Sequence, residues 1–299
     1  MRAIMLYFKT YMHLREVKGI LSPHNGMNIS RGCTHGCIYC DSRSKCYHIE
    51  HDFEDVQIKS NAPAMLEDAL KRKRKKCMIG TGAMSDPYIP IPENLANIRA
   101  CLEIIDKYDC GLAIQTKSDL ILRDLDMLIK INKKAKCIVQ ITLTTFDEKL
   151  CKIIEPNVCG TKRRFEVLKI MRDNGIQTIV WFCPLLPLIN DTEENMRGIL
   201  DYCIEAGVSG ILFWGIGLTL REGDREHYYS KLDEHFPGLK KVYQKKYGYS
   251  YGIKSDNNDA LMRVFYDTCN KHNIVCNNDT LFEYMYTFEG KNREQLNLF

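Results

Sequence analysis

The chain has 299 residues, of which 45% are hydrophobic and 27% charged, and a formal net charge of +4. These values predict a protein with a sizeable core, and so small a positive charge neither requires nor excludes a nucleic-acid partner. Arg2, Lys9, Arg15 and Glu16 interrupt the first twenty residues, so we expect no signal peptide there, and no apolar stretch is long enough to cross a bilayer. We therefore expect a cytoplasmic protein with no membrane partner. Its fourteen cysteines should be reduced thiols that favour metal or catalytic roles over disulfides.

Short apolar runs alternate with longer helix-like segments over the first two thirds of the chain. The predicted strands are Gly26–Ile29, Cys77–Gly80, Gly111–Gln115, Cys137–Leu143, Gln177–Phe182 and Gly210–Trp214. The predicted helices are Ala62–Lys76, Glu93–Tyr108, Leu120–Lys134, Lys162–Asn174 and Thr192–Ala206. Six strands that alternate with five helices predict an α/β fold with a parallel sheet, either a barrel or a doubly wound sheet.

The pattern changes after Gly217. Residues 222–256 are rich in Tyr, Lys and His and predict a helical extension, which one more helix follows at Asp259–Lys271. We therefore divide the chain into a core with an N-terminal lead-in (1–217), a helical C-terminal extension (218–290) and a flexible tail (291–299).

The motif Cys33-Thr-His-Gly-Cys37-Ile-Tyr-Cys40 follows the first predicted strand directly. Three thiolates at this spacing can hold three irons of a four-iron, four-sulfur cluster and leave the fourth iron open to the amine and carboxylate of an amino acid. The alternative is a closed site for zinc or a cluster, in which Cys46, His35 or His48 supplies a fourth ligand. The spacing by itself allows both.

Polar or reactive residues also follow the other predicted strands, at the edge where βα units carry their functional groups. They are Ser85, Asp86 and Tyr88 after the second strand, Lys117 after the third, Thr142 in the fourth and Cys183 after the fifth.

The cysteine loop resembles the signature of the radical S-adenosylmethionine (SAM) superfamily, C-x3-C-x-aromatic-C, with Tyr39 as the aromatic residue. Within that superfamily, the chain is similar to the branch of spore photoproduct lyase-like proteins. The supporting motifs stand in the family's order: Ser85-Asp-Pro-Tyr88, Thr116-Lys-Ser118, Arg123-Asp124, Glu155-Pro156, Arg163-Arg164 and Pro184-x-x-Pro187-x-x-Asn190-Asp191. The resemblance implies a partial (β/α)6 barrel of TIM type, a 4Fe–4S cluster on Cys33, Cys37 and Cys40, and SAM as the second cofactor.

The resemblance also implies roles for residues around the cluster. Tyr39 should lie against the adenine of SAM, and Lys117 and Thr142 should contact its carboxylate and ribose region. Arg163 and Arg164 open a predicted helix, where a cation is unfavourable, so we expect a ligand contact for at least one of them and assign it to Arg164. The chain departs from the family at two positions, with Ser30 in place of the common Tyr and Leu188 in place of Gly.

The implied activity is that of an enzyme that cleaves SAM reductively to a 5′-deoxyadenosyl radical, with electrons from a donor such as flavodoxin or ferredoxin. The implied substrate is a nucleic acid, in DNA lesion repair or base modification. Ser85 and Asp86 should hold its polar groups, and Tyr88 should stack on a base. Modification of RNA or a peptide is an alternative, as is a noncatalytic cluster-binding protein recruited to a DNA complex.

One position sets the chain apart from spore photoproduct lyase itself. There, a cysteine before the Ser-Asp pair returns a hydrogen atom to the product, and the matching residue here is Ala83, which cannot donate. We therefore expect a different reaction. By position, Cys183 is the best replacement donor, with Tyr39 and Tyr88 as phenolic candidates, although Cys183 can equally be a packing residue.

Two further segments suggest partners. The basic run Lys71–Lys76 ends a predicted helix on the side opposite the reactive edge, which favours a solvated helix end over a nucleic-acid contact. The tail Gln295-Leu-Asn-Leu-Phe299 resembles the short peptide by which bacterial proteins dock on the replication sliding clamp. Packing of the tail on the chain's own surface is the alternative.

Overall fold

The computed structural model describes residues 12–291. The strands are β1 (Met12–Arg15), β2 (Gly26–Met27), β3 (Ser30–Arg31), β4 (Val56–Lys59), β5 (Met78–Thr81), β6 (Gly111–Thr116), β7 (Cys137–Thr142), β8 (Gln177–Trp181), β9 (Gly210–Leu212), β10 (Gly217–Thr219) and β11 (Gly252–Lys254). The helices are α1 (Ala62–Arg72), α2 (Pro92–Lys107), α3 (Leu125–Lys134), α4 (Glu148–Ile154), α5 (Thr161–Asp173), α6 (Glu193–Ala206), α7 (Asp224–His235), α8 (Leu239–Tyr247), α9 (Asn258–Lys271) and α10 (Asn278–Tyr286).

The main sheet has six strands in the order β2-β5-β6-β7-β8-β9, and every neighbouring pair is parallel. Each strand lies beside the next strand of the sheet along the chain, with helices in the connections, as right-handed βα units require. The sheet order does not return from β9 to β2, so the barrel is open on one side. The predicted partial (β/α)6 barrel of TIM type is confirmed, and all six predicted strands are present.

Helices cover the outer face of this sheet because their apolar residues recur on one side. In α6, for example, Met196, Ile199 and Cys203 are buried. The ends of that helix follow from its sequence, since the Thr192 hydroxyl caps the first turn and Gly207 ends it at a φ of 65°, a conformation that glycine adopts freely. α1 ends at Arg72 rather than at the predicted Lys76.

The basic run that follows this end of α1 lies in the loop before β5, at the opposite end of the sheet from the cysteine loop. Local acids neutralise part of it, because Lys71 pairs with Glu67 and Lys76 with Asp109, each at 3.7 Å. No helix among the described residues is long and apolar enough to cross a membrane.

The C-terminal extension closes the inner face of the open barrel. Met78, Ala113, Ile138, Ile179 and Leu212 project inward from five strands, and the α10 residues Leu281 and Met285 pack against them. The sequence pattern predicted a helical extension here but no individual helix at the position of α10.

A second part of the extension packs behind the cysteine loop. Tyr228 and Tyr243, from α7 and α8, form a hydrophobic cluster with Cys37, Ile38 and Tyr39. The Tyr228 hydroxyl donates to the Tyr243 hydroxyl at 3.1 Å. The extension therefore supports the reactive edge of the barrel as well as its interior, while the proposed boundary at residue 217 stays a prediction.

A small sheet leads the N-terminal part of the described chain into the cysteine loop. β4 is its central strand, paired in parallel with β1 and antiparallel with β3. Gly32 and Cys33 follow β3 directly, so this sheet fixes where the loop begins.

Candidate active site

The three cysteines of the loop face one cavity of about 90 Å³ at the carboxyl edge of the sheet. Cys33, Cys37 and Cys40 line it together with residues 82–86, Lys117 and Thr142. All fourteen cysteines lie in the described part of the chain and are free thiols. Three free thiols around one small cavity are the ligand set that a cluster with one open iron requires.

The backbone of the loop is held on both sides. The Cys33 amide donates to the Phe53 carbonyl at 3.0 Å, and the Ile38 amide donates to the Ile154 carbonyl at 3.0 Å. Gly32 has a φ of +83°, and a Cβ there would lie 2.4 Å from the Phe53 carbonyl oxygen. Only glycine permits this approach, which sets the position of the first cysteine.

Ser85 and Asp86 lie on the cavity, as expected for strand-end residues, but their hydrogen bonds go to the chain itself. The Ser85 hydroxyl donates to the Gly32 carbonyl at 2.6 Å and lies 2.9 Å from the hydroxyl of Ser30. The Asp86 carboxylate accepts from the Thr116 hydroxyl at 2.7 Å and from the Lys117 amide at 2.8 Å. These bonds tie the cysteine loop to the ends of β5 and β6, so a substrate contact for this pair stays a prediction.

Of the three alternative fourth ligands, only His35 lines the cavity. Its Nδ1 lies 3.5 Å from the Asp86 carboxylate. Burial acts to raise the pKa of the Cys33 thiol, but the adjacent His35 outweighs it and the pKa is lowered. Cys46 is exposed, with its Sγ 3.5 Å from a guanidinium nitrogen of Arg221. His35 thus assists Cys33 as a neighbouring cation, and its pairing with Asp86 fits that role.

A buried ionic network stands behind Tyr39. The Tyr39 hydroxyl donates to the Glu155 carboxylate, which pairs with the Arg164 guanidinium at 2.5 Å. Burial acts to raise the pKa of the Glu155 carboxyl, but Arg164 and Lys117 outweigh it and hold the pKa below its usual range. Arg164 also donates to the Thr142 carbonyl at 3.1 Å. The expected ligand contact of Arg164 is therefore replaced by a contact with Glu155, and Arg164 lies outside the lining of the cavity.

Lys117 and Thr142 are two polar residues on the cavity whose side chains have no hydrogen-bond partner among the described residues. The Thr142 hydroxyl is buried and has no hydrogen-bond partner within residues 12–291. The Lys117 ammonium lies 5.9 Å from the centre of the Tyr39 ring, and the structure gives it no hydrogen bond or ion pair among these residues. Buried polar groups are rarely left unpaired. A ligand that carries a carboxylate and ribose hydroxyls, as SAM does, would satisfy both.

A larger cavity of about 570 Å³ adjoins the first and shares Cys40, Ala83 and Lys117 with it. Cys183 lines this cavity, and burial raises the pKa of its thiol to about 12. Trp214 lies on its wall, 53% exposed. No role was predicted for Trp214, although it follows the sixth strand of the sheet and the same strand-end rule applies to it. Glu155 was also missed as a functional residue, and its place in a family motif was the available signal.

The predicted role of Tyr88 at the substrate is wrong. Its side chain is fully buried in the main hydrophobic core and lines neither cavity. The chain turns inward after Pro87, and the Tyr88 amide donates to the Asp86 carboxylate at 2.9 Å. Stacking on a base needs an exposed ring face, so the structure excludes Tyr88 from that role and from hydrogen donation to a substrate.

The radical SAM superfamily model matches residues 27–203, more than half of the chain, and the chain belongs to this superfamily. This match confirms the predicted resemblance. It also confirms both expected cofactors, because the superfamily uses a 4Fe–4S cluster and SAM. The thiols of Cys33, Cys37 and Cys40 fit the cluster, and the Lys117 ammonium and the unpaired Thr142 hydroxyl fit SAM.

Particular relatives extend the comparison. An uncharacterised protein of Methanocaldococcus jannaschii is 35% identical over 164 residues, which cover 54% of this chain and 60% of that protein. An uncharacterised protein of Mycobacterium tuberculosis is 27% identical over 229 residues, which cover 74% and 66%. The chain thus spans less than two thirds of the length of either relative.

Among solved structures, spore photoproduct lyase complexed with dinucleoside spore photoproduct superposes with a TM-score of 0.62 at 16% identity, covering 87% of this chain and 79% of the other. A spore photoproduct lyase variant with bound AdoMet and the same dinucleoside superposes equally well. At 16% identity, this structural similarity shows only that this chain and spore photoproduct lyase share a fold.

The cluster ligands can be tested one by one. Replacing Cys33, Cys37 or Cys40 by Ala should each abolish cluster assembly, whereas Cys46→Ala should retain it, because Cys46 lies outside the cavity. Iron and sulfide content after anaerobic reconstitution is the measurement. Loss of the cluster in Cys46→Ala would establish the closed, four-ligand site instead.

The adjacent arginines 163 and 164 provide a matched pair for the buried network. Arg164→Met should lower the free energy of unfolding by about 3–5 kcal/mol, because it leaves the Glu155 charge buried without a partner. Arg163→Met removes only exposed ion pairs with Asp119 and Glu166 and should cost less than about 1 kcal/mol. Urea denaturation followed by circular dichroism measures both.

Adding Glu155→Gln to Arg164→Met should recover much of that loss, since the unpaired charge is gone. Equal losses in the two arginine variants would contradict this description of the network.

Proposed function

We propose that the protein is a radical SAM enzyme that acts on a nucleic acid, in DNA lesion repair or base modification. The observation that carries this proposal is the cavity of about 570 Å³, which leads from the cysteine loop to a rim of aromatic and basic side chains. The chemistry that the bound cluster and SAM would supply is the reductive cleavage of SAM, which yields a 5′-deoxyadenosyl radical. The electron would come from a donor such as flavodoxin or ferredoxin.

In this proposal the residues of the small cavity bind the cofactors. Cys33, Cys37 and Cys40 hold the cluster. Lys117 pairs with the carboxylate of SAM, and the Thr142 hydroxyl accepts or donates a hydrogen bond at its ribose. Tyr39 packs against the adenine, with its ring orientation fixed by the bond from its hydroxyl to Glu155. Arg164 acts through Glu155 as a positioning residue.

The rim of the large cavity has the composition of a single-strand binding surface. Trp214 and Lys254 line the cavity, and Tyr251 is 57% exposed. The Arg221 guanidinium lies 5.7 Å from the ring centre of Tyr47 and 5.1 Å from that of Tyr251. Exposed rings offer stacking faces to bases, and interleaved cations pair with phosphates. A nucleic-acid strand therefore suits this rim better than an uncharged small molecule does.

A third cavity, of about 320 Å³, lies inside the barrel and shares Ala83 with the other two. Trp181, Gln115 and Gln140 line it, and the Trp181 indole donates to the Gln140 side chain at 2.7 Å. The Thr81 hydroxyl on its wall is buried and has no partner within the described chain. The Trp181 ring offers a stacking face, and the two amides and the Thr81 hydroxyl offer hydrogen bonds to the edge of a base. These groups favour a base flipped into this cavity.

Cys183 is our proposed hydrogen donor. Its S–H bond breaks as the hydrogen atom passes to the substrate radical, and one electron from the same flavodoxin- or ferredoxin-type donor, with one proton, returns the sulfur radical to the thiol. Because burial raises the pKa of its thiol to about 12, the sulfur keeps its hydrogen at neutral pH. Ala83, which stands at the position of the lyase cysteine, lies on the same cavity and has nothing to donate. We therefore propose a reaction other than strict spore photoproduct repair. The tail with the clamp-like peptide, Gln295–Phe299, lies outside the described residues, and its docking on a sliding clamp stays a prediction.

The substrate class can be tested by 5′-deoxyadenosine formation. With anaerobically reconstituted protein, SAM and a reductant, damaged or single-stranded DNA should raise its rate above that with buffer, and RNA and peptides serve as comparison substrates. Trp214→Ala should weaken single-stranded DNA binding by about 1–3 kcal/mol, the usual loss of one stacked base. Tyr266→Ala, which removes an exposed ring on α9 that lines none of the three cavities, is the matched control.

Stimulation by peptides and not by nucleic acids would contradict the substrate class. Absence of 5′-deoxyadenosine with every substrate, despite a full cluster, would favour the noncatalytic alternative.

The hydrogen donor has its own test. Dinucleoside spore photoproduct should not be repaired efficiently by the purified protein. On the true substrate, Cys183→Ala should keep 5′-deoxyadenosine formation while the final product falls, because the substrate radical forms but is not quenched. Liquid chromatography with mass spectrometry measures both. Efficient repair would refute the first statement, and a full product yield in Cys183→Ala would refute the second.

A further inference from the structure

Three potential metal ligands converge outside the active site. His13 lies on β1, and His51 and Asp55 lie in the segment just before β4. One ligand atom from each residue lies within 4.8 Å of the other two. His13 Nδ1 and Asp55 Oδ2 are 3.2 Å apart, close to the roughly 3.3 Å that separates two ligands on a tetrahedral zinc ion with bonds of about 2.0–2.1 Å.

An ion pair between His13 and Asp55 does not account for His51, because one of its two ring nitrogens has no hydrogen-bond partner among the described residues. Its Nδ1 lies 3.0 Å from the carbonyl oxygen of Asp52, and because a carbonyl only accepts, Nδ1 carries the hydrogen. Nε2 is then a lone-pair acceptor. It is buried and finds no donor in the chain from residue 12 to residue 291. A buried acceptor without a partner destabilises the folded chain, and a metal ion bound there would remove that cost.

His13 has the second contact that metal-binding histidines usually make. Its Nε2 lies 3.0 Å from the side-chain amide of Gln57, which faces it in the register of β1 and β4. The oxygen and nitrogen of such an amide exchange places by a half-turn. The amide oxygen can therefore accept from Nε2–H, which leaves the Nδ1 lone pair for a metal. A fixed tautomer of this kind is the outer contact that orients ligating imidazoles.

We propose that His13 Nδ1, His51 Nε2 and the Asp55 carboxylate bind a zinc ion, with water as the fourth ligand, at a site separate from the three-cysteine cluster. Two imidazoles and a carboxylate form a common zinc ligand set. The side chains of His13 and Asp55 are 38% and 33% exposed, so an ion has a path from solvent. The proposal is independent of the substrate.

The location gives this ion a structural consequence. Phe53 lies between the two ligands His51 and Asp55 along the chain, and its carbonyl accepts from the Cys33 amide at 3.0 Å. A zinc ion there fastens β1 to the segment that supports the first cluster ligand. Zinc should therefore raise the thermal midpoint of the protein and slow the loss of iron from the cluster.

The test uses cluster-loaded protein, so that iron occupies the three cysteines and zinc cannot bind there. After equilibration with micromolar zinc and gel filtration, elemental analysis should find one zinc per chain in addition to the cluster iron. His51→Ala and Asp55→Asn should each lose the zinc and keep the iron, and Asp55→Asn preserves the side-chain shape if His51→Ala folds poorly. His24→Ala and His272→Ala, at exposed histidines outside the site, should keep both metals. Cobalt in place of zinc should give the intense visible absorption of a tetrahedral site.

Wild-type protein that binds no zinc under these conditions would overturn the proposal. Zinc that remains in both His51→Ala and Asp55→Asn would do the same. A fifth iron per chain that zinc does not displace would replace zinc with iron as the resident metal and overturn the assignment of the ion.

Discussion

The buried pair of Arg164 and Glu155 is the interaction on which the reactive edge of the barrel depends. Both side chains are almost fully buried, so each charge is acceptable only because the other is present. The pair joins three parts of the chain. Arg164 belongs to α5 and reaches the end of β7 at Thr142, while Glu155 holds the Tyr39 hydroxyl of the cysteine loop. Strand end, loop and helix therefore occupy fixed positions relative to one another.

The residues around the cavity fall into two groups, according to whether the chain satisfies their hydrogen bonds. Residues with fully satisfied hydrogen bonds, such as Ser85 and Asp86, hold the loop in place. Lys117 and Thr142, whose side chains have no hydrogen-bond partner among the described residues, are available to a ligand. The extension adds to this arrangement from two sides, because α10 packs against inward-facing residues of the barrel and α7 and α8 pack behind Tyr39. The open barrel and its C-terminal helices thus act as one support for the site.

The sequence predicted the parallel sheet well because each strand is a short buried run between amphipathic helices. The choice of a barrel over a doubly wound sheet came from the family resemblance. The sequence predicted the cysteine loop because ligand spacing is local. It missed β1 and β4, since β1 pairs with a strand more than forty residues away, and it missed α10, whose role depends on the barrel interior. Tyr88 was misplaced for a related reason. The strand-end rule gives the edge of the sheet at which a residue lies, but the turn at Pro87 decides whether its side chain faces the cavity or the core.

The central claim is that three cysteines leave one iron open and that SAM occupies it beside Lys117 and Thr142. Electron paramagnetic resonance of the reduced, reconstituted protein tests this most directly, with spectra recorded before and after SAM is added. The account predicts that SAM changes the signal of the cluster, and that this change requires a much higher SAM concentration in Lys117→Met. An unchanged spectrum at saturating SAM, in protein with a full cluster, would contradict it.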